Sequence, residues 1–237
     1  MEALWSLYAG RQTLFEDRVD AGARLAERLM QYRGKGALVL GIPRGGVPVA
    51  AEVARRLDAD LDIVVARKVG APNYPELAIG AVTASGAQCF NADTIRYLGV
   101  SDAYLKMAVT EEMAEARRRE ARFRGAEPAR PIKDRIAIVV DDGLATGATM
   151  RAAVRAVRQQ QPARLIVAVP VGSREACAAL RDEVDELVCL HQPEPFHAVG
   201  AFYARFAPTE DAEVTRLLAE ARARPAAPAP SHSESPE

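Results

Sequence analysis

Cysteine and histidine are scarce in this 237-residue chain, at three residues each, and aromatic side chains make up 5% of it. The cysteines, Cys89, Cys177 and Cys189, are odd in number and include no Cys-x-x-Cys pair, which argues against a disulfide framework and against a zinc site. Cys177 and Cys189 fall in apolar helix and strand patterns and are expected in the core. No histidine pair has metal-ligand spacing. There is also no excess charge of either sign: 31 Lys and Arg against 32 Asp and Glu give a net charge of −1, so no global field draws the chain to nucleic acid or to a membrane surface. No apolar run approaches the length of a membrane span. Met1 to Gly10 lacks the basic-then-apolar pattern of a signal peptide. These absences lead us to expect a soluble, cytoplasmic protein with no membrane partner.

What is present is apolar material, 49% of the residues, enough for a sizeable core in one α/β domain. Strand-like and helix-like segments alternate. Ala37–Ile42, Leu61–Ala66, Ala78–Thr83, Ile136–Val140, Arg164–Val171 and Asp185–Leu190 read as strands, with a short strand ending near Phe90. Phe15–Tyr32, Val47–Leu57, a segment capped by Ser101-Asp102 and running to about Phe123, a helix from Met150, Ser173–Arg181 and Asp211–Ala223 read as helices, the last capped by Thr209. Arg67 to about Glu76 carries Gly70, Pro72, Asn73 and Pro75 and reads as a loop. Alternating strands and helices predict a mostly parallel, twisted sheet flanked by helices. We expect an N-terminal extension over 1–14, one domain over 15–224, and a Pro-, Ala- and Ser-rich disordered tail over 225–237. The basic run Arg117-Arg118-Arg119 with Arg122 and Arg124 reads as a solvated helix face.

The most informative segment is Ile136-Ala137-Ile138-Val139-Val140-Asp141-Asp142-Gly143-Leu144-Ala145-Thr146-Gly147-Ala148-Thr149. An apolar run of buried-strand length ends in two carboxylates and a turn of small residues before a helix. Open α/β sheets bind ligands at that place. Unpaired N–H groups at a helix start, close-approach residues and threonine hydroxyls make a phosphate cradle. The carboxylates suit sugar hydroxyls or a Mg²⁺ that travels with phosphates. A Walker loop is excluded because no Lys follows Gly147, and a Gly-x-Gly-x-x-Gly turn is absent here. Two further strand ends carry suitable groups: Gly41-Ile42-Pro43-Arg44-Gly45-Gly46, where glycines and a cation could meet an anion, and Arg67-Lys68 after the next strand.

The Asp141-to-Thr149 signature resembles that of the type I phosphoribosyltransferases, and its Leu-Ala-Thr-Gly-x-Thr form is closest to the adenine-type branch. The resemblance covers roughly residues 15–220. It implies a five-stranded parallel core with a small hood made from the chain ends, about residues 191–208. It implies that Gly143, Leu144, Ala145, Thr146, Gly147, Ala148 and Thr149 hold the 5-phosphate of 5-phosphoribosyl-1-pyrophosphate (PRPP). Asp141 and Asp142 would hold the ribose hydroxyls, directly or through Mg²⁺. Arg44, Gly45 and Gly46 would hold pyrophosphate, in a loop that often carries a strained peptide bond before a glycine. Arg67 and Lys68 would open a mobile loop whose cations stabilise the departing pyrophosphate. In the hood, Phe196 would stack on a nucleobase and Val199 would meet its edge. His191 and His197 are candidates to assist protonation there, against an ordinary structural role. The hypoxanthine–guanine branch has an acid where this chain has Ala145, so no general base comes from this loop.

The activity implied is Mg²⁺-dependent transfer of 5-phosphoribose from PRPP to a nitrogen nucleophile, a small-molecule acceptor, with release of pyrophosphate, in a homodimer that needs no nucleic acid. Two alternatives stay open: a PRPP-binding regulator without turnover, and a sugar-phosphate hydrolase.

Overall fold

The computed structural model describes residues 13–224. The expected tail over 225–237, and most of the expected extension over 1–14, lie outside them. Eight strands and seven α-helices follow in the order α1 (Arg18–Arg28), β1 (Leu38–Gly41), α2 (Gly46–Leu57), β2 (Asp60–Ile63), β3 (Ala66–Ala71), β4 (Tyr74–Thr83), β5 (Gln88–Phe90), α3 (Ala92–Tyr97), α4 (Asp102–Arg124), β6 (Ile136–Val140), α5 (Ala148–Gln159), β7 (Arg164–Val171), α6 (Arg174–Arg181), β8 (Glu186–His191) and α7 (Asp211–Ala223). Five strands form one parallel sheet in the order β2-β1-β6-β7-β8. The other three form a separate antiparallel sheet, β3-β4-β5.

The continuous apolar runs of β1, β6 and β7 are explained by burial on both faces. Val39, Ile138, Val140, Ile166 and Ala168 point into a layer with Leu25 of α1, Leu29 just after it, and Val53 and Leu57 of α2. Their neighbours Leu38, Leu40, Ala137, Val139, Leu165, Val167 and Val169 point the other way, onto Val154 and Val157 of α5 and Cys177 and Leu180 of α6. This is the period-two alternation of a strand, hidden in the sequence because both faces are apolar. Cys177 is buried as expected, while Cys189 is half-buried.

A third cluster is the hood. Phe15 and Ala21 from the N-terminal side pack with Val171, Phe202 and Tyr203, and Phe196, Val199 and Phe206 close over them. Leu14 and Phe15 donate backbone N–H groups to Phe202 O at 2.9 and 3.0 Å, and Phe15 bridges to Tyr203. The hood is therefore made from both ends of the domain.

Three local expectations are corrected. The segment from Arg67 to Glu76 is a hairpin, β3 and β4, turning at Pro72-Asn73 with Asn73 at φ 65°. Its Gly70 and prolines accommodate register shifts at Val69 to Ala71, where a side chain on Gly70 would meet Pro75 backbone at 2.6 Å. Val69, Ala71, Ile79 and Val82 turn inward onto Ala108 of α4, which is why the segment forms strands. The strand expected over Leu61–Ala66 is divided: β2 ends at Ile63 and β3 begins at Ala66. Thr209 is buried and does not cap α7; Glu210 precedes that helix, without a side-chain bond.

Ile138 is fully buried in the central strand. Ile138→Ala is expected to lower unfolding free energy by about 3 kcal/mol, because the cavity is enclosed by strands and helices that cannot collapse into it. Urea denaturation measures this; a loss well below about 1 kcal/mol would contradict the packing described.

Candidate functional site

In the parallel register Gly41 lies beside Val140, the last residues of two adjacent strands. From β1 the chain crosses to β2 on one side, and from β6 it crosses to β7 on the other, so the crevice between them is a topological switch point. Both expected phosphate loops leave from here. Ile42 N donates to Val140 O at 2.9 Å, which lays the loop of residues 42–46 against the loop of residues 141–147. The loops touch so closely that only glycine fits. A side chain on Gly45 would overlap the Asp142 carboxylate, and one on Gly46 would meet Val140 O at 2.7 Å and Asp141 Cα at 2.8 Å. The peptide bond between Pro43 and Arg44 is cis.

Helix starts on glycine mark this site, while most other α-helices begin with a side-chain cap. Asp17, Asn91, Ser101 and Ser173 cap α1, α3, α4 and α6 with side-chain oxygens. By contrast α2 and α5 begin on Gly45 and Gly147, which offer no such bond. The first N–H groups of α5 thus remain as donors at the crevice, whereas at the start of α2 Gly46 N donates to Ile42 O at 3.0 Å and Val47 N to Arg44 O at 3.2 Å, closing the turn of that loop. Gly147 adopts φ 77°, in the left-handed region that glycine tolerates. The signature loop is anchored from beneath. Leu144 N donates to Val171 O at 2.9 Å, Ser173 N to Leu144 O at 2.8 Å, and the Ser173 hydroxyl to Ala145 O at 2.7 Å. Thr146 and Thr149 are exposed.

The two carboxylates have different surroundings. Asp141 Oδ1 accepts the N–H of Asp142 at 2.8 Å. Burial first, then the adjacent Asp142 charge, pushes the Asp141 carboxyl well above the usual carboxylate range. Burial also raises Asp142, opposed by Arg18, whose Nε and second guanidinium nitrogen reach Asp142 Oδ2 at 2.9 and 2.8 Å. The Tyr203 hydroxyl donates to Asp142 O at 2.6 Å, and burial with the Asp142 charge raises that phenol.

The remaining expected residues are distributed around this centre. Arg44 pairs with Asp211 of α7 at 3.3 Å, and Asp211 also holds Arg122 at 2.8 Å. Arg67 lies on β3 and pairs with Glu112 of α4 at 2.8 Å; Lys68 follows it, opposite Ala81. Val199 packs on Gly143, leaving no room there for a side chain. Phe196 contacts Phe202, with ring centroids 5.3 Å apart, and lines a cavity of about 550 Å³ with His197, Ala145, Thr146 and Ser173. His191 packs edge-on against Phe15. The basic run of α4 is largely consumed internally: Arg118 and Arg119 on Glu115, Arg122 on Asp211, Arg124 on Asp62 and Glu120. Arg18, Tyr203 and Ser173 belong to the site and were not among the sequence candidates. Ser173 was legible as a helix cap, but the partners of Arg18 and Tyr203 are too distant in sequence to signal contact.

Among the described residues no group of three His, Cys, Asp or Glu side chains converges on one point. An acidic pair at the lip of a phosphate cradle nevertheless fits Mg²⁺, which is usually held by one or two carboxylates together with substrate phosphates.

The raised Asp141 makes a stability prediction. Folding favours its protonated form, so its contribution is full below the unfolded pKa and is lost as pH rises through the folded one. At neutral pH Asp141→Asn, which keeps the Oδ1 acceptor, is expected to stabilise the free protein on the order of 1 kcal/mol. Thermal denaturation without ligand reads this, and an unchanged or lower melting temperature would refute it.

Comparison with known proteins agrees with this geometry. The sequence profile of the phosphoribosyl transferase domain matches residues 12–203. Proteins of two Mycobacterium tuberculosis strains, provisionally named phosphoribosyl transferases, are 45% identical over 205 residues, 86% of this chain. The match takes in 46% of their length, so the chain spans about half of the curated relatives it matches. The crystal structure of TT1426 from Thermus thermophilus superposes with a TM-score of 0.76 at 45% identity, covering 87% of this chain and 98% of that one. On fold, site architecture and sequence, this chain belongs to the phosphoribosyl transferase domain family.

Proposed function

We propose that the protein transfers 5-phosphoribose from PRPP to the nitrogen of a small-molecule acceptor, a nucleobase, and releases pyrophosphate. The observation that carries this reading is the meeting of two glycine-started, uncapped helix termini on either side of an acidic pair at one switch point. One terminus suits a phosphate and the other a pyrophosphate, and the acids between them suit the ribose that joins the two.

In this reading the loop of residues 143–149, with the N–H groups at the start of α5 and the hydroxyls of Thr146 and Thr149, holds the 5-phosphate. Asp141 and Asp142 hold the ribose hydroxyls or the Mg²⁺. The side-chain-free Gly45 and Gly46 let the pyrophosphate approach the backbone of their loop, and Arg44, Arg67 and Lys68 supply positive charge near it. Mg²⁺, when bound, would neutralise phosphate charge and favour pyrophosphate as a leaving group. The C1–O bond to pyrophosphate breaks, the C1–N bond forms, and the nitrogen gives up its proton. Phe196 and Val199 flank the acceptor from the hood, beside the cavity that also holds His197. Internal pairing of the α4 arginines supports a reading without nucleic acid. The free cysteines fit a reducing, cytoplasmic setting, and no helix among the described residues is long and apolar enough to cross a membrane. A homodimer follows from the resemblance alone.

The test is pyrophosphate release from Mg·PRPP against a panel of purine and pyrimidine bases with a no-base control. Release that depends on one base is the expected result and names the acceptor. Release without base would replace the transferase with a hydrolase. PRPP binding without release from any base would favour a sensor. Asp141→Asn is expected to lower PRPP affinity by at least tenfold, about 1.4 kcal/mol, while the variant remains folded.

A further inference from the structure

Adjacent acids in one motif are commonly given one shared task, but their contacts here differ. Asp142 Oδ2 is enclosed on one side by Arg18, at 2.8 and 2.9 Å, and on another by Gly45, whose missing side chain leaves the space that the oxygen fills. The main-chain oxygen of Asp142 accepts from Tyr203. One residue therefore touches the start of α1, the pyrophosphate loop and the hood. Asp141 accepts the neighbouring N–H and forms no ion pair among the described residues.

We propose that Arg18 is a positioning residue that clasps Asp142 and so divides the work of the two acids. Through Oδ2, Asp142 locks the hood and the pyrophosphate loop to the signature loop in addition to any contact its Oδ1 makes with the ligand, whereas Asp141 serves the ribose or its metal without holding the hood. The division rests on the PRPP reading; the clasp itself does not.

An exposed ion pair would be weak support, since such pairs contribute little. This one is not exposed. The side chains of Arg18 and Asp142 retain 12% and 14% of their accessible surface. The guanidinium has further partners: it donates to Ala207 O at 2.7 Å and lies 3.9 Å from the centroid of the Phe206 ring. Phe206 in turn packs on Tyr203, with centroids 5.0 Å apart. Arg18 thus engages the far end of the hood and the acid with one planar group, a task suited to a guanidinium rather than an ammonium. Removing either partner strands a largely desolvated charge, whereas removing both does not. Geometry supports the same division. The Asp142 carboxylate is held in place by Arg18 through Oδ2, whereas Asp141 is held only by the neighbouring backbone N–H at Oδ1.

The test uses the full chain with Arg18→Met, Arg18→Lys, Asp142→Asn, Asp141→Asn and the double variant Arg18→Met/Asp142→Asn. Amide hydrogen exchange over residues 14–17 and 199–207 reports the hood in the free protein. Calorimetric titration with Mg·PRPP reports binding, and KM and kcat follow with any base that turns over. Arg18→Met and Asp142→Asn are each expected to speed hood exchange about tenfold, and the double variant to be no worse than either, since the pair acts as a unit. Arg18→Lys should recover part of the effect. PRPP KM should rise more in Arg18→Met than kcat falls, while Asp141→Asn should lose PRPP affinity with hood exchange unchanged. Additive effects, or unaltered hood exchange in Arg18→Met, would overturn the clasp. Equal loss of hood protection in Asp141→Asn would overturn the division. Failure of the wild-type protein to bind Mg·PRPP would remove the proposed function, and hood exchange would still decide the clasp.

Discussion

The site depends on one constraint, the in-register parallel pairing of β1 with β6. Because Gly41 and Val140 end side by side, the loops that follow must run against each other. That contact explains the residues in both. Gly45 and Gly46 are small because acids occupy the space a side chain would need. Gly143 is small because Val199 of the hood presses on it. The same contact leaves two helices that start at glycine without a side-chain cap beside two carboxylates. A shift of β1 by one residue would reverse its faces and separate the two loops together.

Electrostatics then sorts the cations by how readily they can move. The pair of Arg44 with Asp211 is substantially exposed, at 47% and 25%, and such a pair is worth roughly 0.2–1 kcal/mol. A phosphate offers an arginine shorter, charge-assisted bonds, so Arg44 can turn toward an anion at little cost. Arg67 with Glu112 is intermediate. Arg18 is different: its charge is buried with its partner, and moving it would expose Asp142 to uncompensated burial. The structure thus holds a readily moved cation, Arg44, in the loop of residues 42–46 and a fixed one, Arg18, behind the acids. That arrangement suits a ligand that brings its own charge to one side of the crevice.

Legibility in the sequence followed the range of the interactions. The run from Ile136 to Thr149 could be read because every element of it is local: an apolar strand, acids, small residues and a helix start. Loop 41–46 was legible as a turn, and its partner became evident only from strand order. The first arm and turn of the hairpin, residues 67–76, are not legible, because the inward positions there are the small or short side chains Val69 and Ala71, interrupted by Gly70 and preceded by Arg67 and Lys68, while the prolines resemble loop punctuation; Ala78–Thr83, the rest of the second arm, reads as a strand. Its strand character comes from packing on α4, which the segment alone does not encode. Arg18 sits in a polar stretch of an amphipathic helix, and its acid lies 124 residues away. Tyr203 lies in a segment without periodicity. Tertiary placement alone makes either one part of the site.

In the proposed transfer, the surroundings of position 145 set what the acceptor must supply. Position 145 is alanine, and its carbonyl is tied down by Ser173, so the signature loop offers no side-chain carboxylate at that position to take a proton from an incoming nitrogen. The cavity beside it is lined by both apolar and polar groups, among them Phe196, His197, Thr146, Arg151 and Glu175. A flat ring with polar edges would find there an aromatic face in Phe196 and hydrogen-bonding partners for its heteroatoms. Without a loop base, the ring nitrogen must either be acidic enough to lose its proton unaided or find His197 within reach. In the first case the proposed transfer would depend on the acidity of the acceptor, and in the second on the reach of His197. Under that proposal, chemical selectivity would rest on the acceptor and the hood, while the helix termini and the acids between them would serve the phosphoribosyl donor.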